Sequence, residues 1–213
     1  MTSDTFGVDS VAHDSSRREI LDAAADVFES KGFDRATIDD IADEIGATKG
    51  RVYYYFRSKF DIYLAVYENG MRDVRRTVEP YAATPGTGGE RLTAMCVAHL
   101  VNLMEHLGYH NAIHQGVPGQ RFAALKERQR DLLGTLNGLR EEYELMFRRV
   151  VEEGVADGSL RAEDSRLVTR VLLSSLNSTA MWFHLREGQD PAEVRGLADK
   201  IVAQVLVGVV VRG

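Results

Sequence analysis

An all-α chain is predicted, with a small N-terminal helix-turn-helix head followed by a larger C-terminal helical bundle. Three observations predict it. Apolar residues recur at three- and four-residue spacing through nearly every segment. Threonine, serine, aspartate and glycine stand where such segments begin and end. No strand pattern or internal repeat interrupts them.

Residues 1–14 are expected to be a disordered arm. The first helix should start at Ser15 or Ser16 and run to Lys31, with Ile20, Leu21, Ala24, Val27 and Phe28 as its core stripe and Gly32 ending it. Thr37 caps a second helix, and Asp39 and Asp40 lie in the first turn, where a helix N-terminus favours negative charge. Ile38, Ile41, Ala42 and Ile45 form one apolar stripe. Gly46 follows where helices often end in the left-handed conformation. Thr48 caps a third helix, Lys49 to about Phe56, which completes the spacing of a helix-turn-helix. A linking helix from about residue 60 should end near Pro80, and residues 81–89 are a linker. Further helices are expected from Glu90 to Tyr109, from Phe122 to Leu133, on to Asp157 after a bend near Gly134, from Asp164 or Ser165 to Arg186, and from Pro191 to Val211. A broken segment spans His110 to Gly119. Expected domains are residues 15–60 for the head and 61–213 for the bundle.

The chain has 213 residues, 44% hydrophobic and 27% charged, the balance of a soluble globular protein. Cys96 is its one cysteine, so no intrachain disulfide forms. No secretory leader and no apolar run of membrane-spanning length is read, so a cytoplasmic location is expected. The net charge of −6 argues against nucleic acid until its distribution is considered. Lys49, Arg51, Arg57 and Lys59 form a basic cluster with no acid between Gly46 and Phe60. Phosphate contact depends on that local field. Val52 and Phe56 anchor the third helix, and Tyr53, Tyr54 and Tyr55 add hydroxyls that donate to phosphate oxygens. Double-stranded DNA is the partner this surface suits.

The same stretch resembles the tetracycline-repressor (TetR) family of bacterial transcriptional regulators. The likeness runs through Arg18–Ala24, Val27–Phe33, Ala36–Ala42 and Gly50–Phe56 and closes with Lys59 and Tyr63-Leu64. It implies a homodimer with N-terminal DNA-binding heads and a C-terminal effector pocket, released from its operator by a small molecule. By that resemblance Thr37, Tyr53 and Lys59 are similar to phosphate contacts. Lys49 and Arg51 occupy positions that approach bases or backbone, and Tyr54 and Tyr55 the next contact positions. Thr48 is grouped with these DNA-facing residues. Many members carry threonine where this chain has Arg51, and an arginine there can read a guanine edge.

The last two helices are apolar on more than one face, more than a monomer needs. A four-helix bundle with a second copy is expected, with Leu172, Leu176, Phe183, Ile201, Val205 and Val209 at the interface. A two-fold dimer places two recognition helices roughly 34–36 Å apart on a palindromic operator. A hydrophobic effector is expected inside the bundle, lined by Met95, Leu103, Met104, Tyr143, Phe147 and Trp182. Residues 182–194 are similar to family members that sense acyl-CoA thioesters or lipid-like catabolites, which would make Arg121, Lys126, Arg128 and Arg130 candidates for a CoA phosphate. Metal sensing is a rival reading. Cys96, His99, His106, His110 and His114 are concentrated within twenty residues, the last three at four-residue spacing. Cys96 has His99 nearby, but both would sit on one helix with no third group or oxyanion donors, and no phosphate-binding glycine loop is present, so neither an enzyme nor a cofactor is expected. A third possibility is a helical interaction module without DNA binding.

Overall fold

The computed structural model describes residues 5–115, 125–186, 188–207 and 209–210, with side chains from His13 onward. The described elements are helical. They are α1 (Thr5–Arg35), α2 (Ile38–Glu44), α3 (Lys49–Tyr55), α4 (Lys59–Ala82), α5 (Gly88–Glu105), α6 (Leu107–Gln115), α7 (Glu127–Ala156), α8 (Ser165–Asn177), a 3₁₀ turn (Ser178–Met181) and α9 (Pro191–Val205). The chain gathers into two compact units, Met1–Gly70 with Leu107–Leu133, and Met71–His106 with Gly134–Gly213.

In the first unit, α1 begins at Thr5, ahead of the expected Ser15 or Ser16, and its regular path breaks at Gly32 (φ 72°, ψ 152°). A positive φ of this kind suits glycine, which has no Cβ to clash. The predicted stripe Ile20, Leu21, Ala24, Val27 and Phe28 is buried, as are Ile38, Ile41, Ala42, Val52 and Phe56. Phe28, Phe33, Phe60 and Tyr63 cluster edge-on and stacked where α1 meets α4. Helix α6 packs on α1 through Gly108, where a Cβ would lie 2.5 Å from the Ala25 carbonyl oxygen. The Tyr63 hydroxyl donates to Ala112 O at 2.7 Å, which ties α4 to the same helix.

The second unit is built on α5, with α9 and α8 packed against it. Thr87 and Glu90 form a capping box at the start of α5, two residues before the expected start. The loop after α7 completes that cap from afar. The Asp157 carboxylate accepts from Gly88 N at 2.7 Å and the Ser159 hydroxyl from Gly89 N at 2.8 Å. Both satisfy amides that a helix start leaves without partners. A Cβ on Gly88 would stand 2.3 Å from the Gly154 backbone, so only glycine admits this approach.

Several expected boundaries move. Helix α5 stops at His106 (φ −133°, ψ 48°) instead of Tyr109, and α6 occupies part of the expected broken segment. Gly134 does not bend α7, which is one helix through it. Helix α8 ends at Asn177, short of Arg186, and the chain continues through the 3₁₀ turn. Helix α9 ends at Val205; beyond it Val210 bridges to Leu160, and Arg161 N donates to Val209 O at 2.8 Å. Arg121, Phe122 and Val211 lie outside the described residues.

Candidate functional site

The helix-turn-helix is made by local chemistry. The Thr37 hydroxyl accepts from Asp40 N at 3.1 Å, while the Asp40 carboxylate accepts from Thr37 N and its hydroxyl, both at 2.8 Å. Lys31 donates to the same carboxylate at 2.8 Å. The Lys31 bond first, then the Thr37 bonds, hold Asp40 down to about 2. A carboxyl depressed on folding contributes stability that is complete above its unfolded value near 4 and lost as pH falls through the folded value. Acid titration followed by NMR is therefore expected to show Asp40 protonating near pH 2, and Thr37→Ala to move that midpoint upward. Gly46 (φ 59°) turns the chain, and the Thr48 hydroxyl accepts from Arg51 N at 3.4 Å at the start of α3.

Val52 and Phe56 lock α3 inward, which leaves the opposite side to solvent. Tyr53 is 48% and Tyr54 75% exposed, large values for aromatic side chains. Tyr55 is half-buried; its ring and that of Tyr54 lie 4.8 and 6.1 Å from the His13 ring on α1. Lys49 Nζ pairs with the Asp39 carboxylate at 2.8 Å, and Arg51 Nη2 with the Glu19 carboxylate at 2.6 Å. Arg17 lies over the Phe56 ring at 5.2 Å. Lys59 binds backbone. Its ammonium donates to Phe33 O and Ala36 O at 2.6 Å each and to Asp34 O at 3.2 Å, and lies 4.6 Å from the Phe33 ring centre. Its three N–H groups thus each have a carbonyl acceptor. Nothing in the sequence marks Asp39 and Glu19 as partners of these cations; they are ordinary helix carboxylates until the fold sets them beside Lys49 and Arg51.

In the second unit, Met95, Leu103, Met104 and Phe147 are fully buried and Tyr143 nearly so, so five of the expected pocket residues share one core. Trp182 does not join them; it is 54% exposed, beyond the end of α8. A polar group sits in that core, joining His99 (expected as a metal ligand) and Tyr143 (expected in the pocket) to Asn177, which sequence did not single out. His99 is buried, its Nδ1 2.9 Å from the Tyr143 hydroxyl and its Nε2 2.8 Å from Asn177 Oδ1. The amide oxygen can only accept, so Nε2 carries the proton and donates, and a neutral Nδ1 accepts from tyrosine. Burial raises the Tyr143 pKa well above that of a free phenol, which keeps the hydroxyl a donor. Phe147 flanks both rings.

Of the expected interface residues, Leu172, Leu176 and Phe183 are buried within the chain's own core, while Ile201, Val205 and Val209 are half-buried. Exposed apolar side chains lie beside them instead: Leu167 and Val171 on α8, then Met181, Trp182 and Leu185. The helix turns Leu172 and Leu176 inward, and its outer face falls to the residues one position earlier and four before that. The metal-ligand pattern is dispersed. His106 ends α5, so the four-residue run through His110 and His114 does not share a helix. Burial pushes the Cys96 thiol up, away from the thiolate a metal needs. Among the described residues no three His, Cys, Asp or Glu side chains are grouped to hold a metal. Among the described residues no helix is long and apolar enough to cross a membrane.

Two family models match. That of bacterial regulatory proteins of the tetR family covers residues 20–66, and that of the tetracycline repressor-like C-terminal domain covers residues 85–209. The chain belongs to the TetR family. It is a DNA-binding transcriptional regulator by that membership, with the helix-turn-helix on α2 and α3. It is 28% identical to the HTH-type transcriptional repressor KstR2 of Mycolicibacterium smegmatis over 196 residues, 92% of this chain and 91% of that protein. It is 24% identical to the fatty acid metabolism regulator protein of Bacillus subtilis, over 76% of this chain and 79% of the relative. The structure of the ketosteroid transcriptional regulator KstR2 of Mycobacterium tuberculosis superimposes with a TM-score of 0.75, with 22% identity over 92% of this chain and 95% of that one, a likeness of fold.

Proposed function

We propose that this TetR-family protein is a cytoplasmic homodimeric repressor that leaves a palindromic operator when a small hydrophobic effector enters its C-terminal bundle. The observation that carries the DNA-facing half is the surface of α3, where Lys49, Arg51, Tyr53 and Tyr54 stand outward over a buried Val52 and Phe56. On this reading Lys and Arg neutralise phosphates and the exposed tyrosines donate to them. Thr37, Thr48 and Tyr55 border the same surface. The apolar core of Met95, Leu103, Met104, Tyr143 and Phe147 supports an apolar effector, and the His99–Tyr143–Asn177 group would supply its hydrogen-bonding anchor. The names of the relatives, one a ketosteroid regulator and one a regulator of fatty acid metabolism, favour acyl-CoA or lipid-like catabolites as the first compounds to try. Exposed Leu167, Val171, Met181, Trp182 and Leu185 support a second copy as the partner of α8 and its neighbours.

Effector binding would shift the population between two spacings of the recognition helices, only one of which fits successive major grooves. The test is binding to the DNA upstream of the protein's own gene at several salt concentrations, with and without long-chain acyl-CoA. Wild type is expected to bind with a steep salt dependence, and Tyr53→Phe to lose about tenfold in affinity, the scale of one bond to a charged acceptor. Unchanged affinity across a panel of acyl-CoAs and sterol ketones would sink the effector half of the proposal.

A further inference from the structure

We infer that Glu19 is a specificity-determining positioning residue, which sets the direction of Arg51 before DNA arrives. The inference rests on the reading of α3 as the DNA-facing helix. Arg51 follows Gly50 in the first turn of α3, the end of a recognition helix that reaches base edges. Its Nη2 donates to Glu19 Oε2 at 2.6 Å and to the Ser16 hydroxyl at 3.3 Å. Both acceptors belong to α1, so this cation is braced from a different helix. The two bonds use the two hydrogens of Nη2. The N–H groups of Nε and Nη1 take no part in either, and a guanidinium has enough donors for a base edge beside its brace.

The charge arrangement also points to discrimination. Glu19 lines a mainly acidic groove with Asp14, Asp22, Asp26 and Glu44, where Arg18 is the one cation among the lining residues. A carboxylate this close to a phosphate-binding surface repels every DNA sequence alike. It therefore lowers general affinity, while the fixed guanidinium keeps its reward for the base pair that fits it. An unbraced arginine would lose more rotamer freedom on docking and would reach several acceptors. Lys49 makes a useful contrast. Asp39 holds it by a single contact, and an ammonium is a point charge without a planar fork, so that pair adjusts affinity and not base choice.

Selection of duplexes from a random pool with the full-length wild-type protein defines its base preferences. Glu19→Ala, Glu19→Gln, Arg51→Ala and the Glu19→Ala/Arg51→Ala double variant are then titrated against the selected site and its single-base variants. Arg51→Ala is expected to flatten the preference at one base pair in each half-site. Glu19→Ala should relax preference at that same pair about fivefold while binding all sequences more tightly. Glu19→Gln, which keeps the acceptor and drops the charge, should hold the preference and share the general gain. With Arg51 already removed, Glu19→Ala should leave the profile unchanged. A purely structural role for Glu19 would weaken all sequences together. A wild-type profile from Glu19→Ala, or equal relaxation in the Arg51→Ala background, overturns the inference. If wild type selects a site but Arg51→Ala leaves its profile intact, the assignment of Glu19 fails with that of Arg51. If wild type selects no sequence, the reading of α3 itself fails.

Discussion

Lys59→Met is expected to lower the stability of the N-terminal unit by about 2–3 kcal/mol in the absence of any DNA, because it strips a charged donor from three backbone carbonyls. Those carbonyls, on Phe33 and Asp34 at the end of α1 and on Ala36 just beyond it, belong to the stretch that follows the break at Gly32. Lys59 donates to them from the start of α4. Methionine keeps the length and the apolar stem, so the cost isolates the ammonium. Hydrogen exchange is the measurement, since it reads α1–α3 separately from the second unit. Protection should fall in α1–α3 and persist in α5 and α9. Operator affinity should fall with it, because the competent head is less populated. A lysine that acted only on phosphate would give the opposite pattern, weaker DNA binding and a shallower salt slope with protection unchanged.

Phe147→Ala should cost about 3–5 kcal/mol, the range for emptying a fully buried aromatic site. Its ring lies 5.2 Å from Tyr143 and 6.3 Å from His99, so the cavity would open beside the polar group of the second unit. Urea unfolding followed through Trp182, the chain's only tryptophan, reads the loss. Phe147→Leu separates packing from ligand recognition. It retains most of the volume and should cost under about 1.5 kcal/mol. If Phe147 also lines the effector site, Leu should change which acyl chain length releases the DNA while stability stays close to wild type. A loss under about 1 kcal/mol for alanine would mean that the core closes over the gap and that Phe147 is not a fixed wall.

The helix starts that sequence reads well have local determinants, although the equally local Thr87–Glu90 capping box is not read from it and the α8 start is read only as Asp164 or Ser165. Thr37 with Asp40, Thr48, Asp164 and Pro191 each mark a helix start where the structure has one, because a cap is chemistry among residues two or three apart. Gly32 marks the break inside α1, which continues to Arg35, and Gly46 marks the turn after α2, both at positive φ. Boundaries that depend on a distant neighbour were not legible. The residues around His106 keep helical periodicity, yet the helix breaks there, and Gly108 beyond it meets the Ala25 carbonyl from a remote part of the chain. The terminal valines fit a helix by spacing, but Val209 and Val210 turn to backbone partners at Arg161 and Leu160.

The candidate site divides in the same way. Which cations and tyrosines populate α3, and which two apolar residues hold it down, follows from the order of residues along one short helix. Whom those cations meet does not. Arg51 finds Glu19 thirty-two positions away, Lys59 finds carbonyls at the far end of α1, and His99 finds Asn177 across 78 residues. Sequence by itself determined the resemblance to the family, the helix-turn-helix and the basic, phenolic character of α3, because capping, periodicity and local charge act over a few residues. Only the tertiary structure decided the partners of each charge and the exposure of Trp182 against the burial of Leu172, because hydrogen bonds and solvent contact are set by what the packed chain brings within 3 Å.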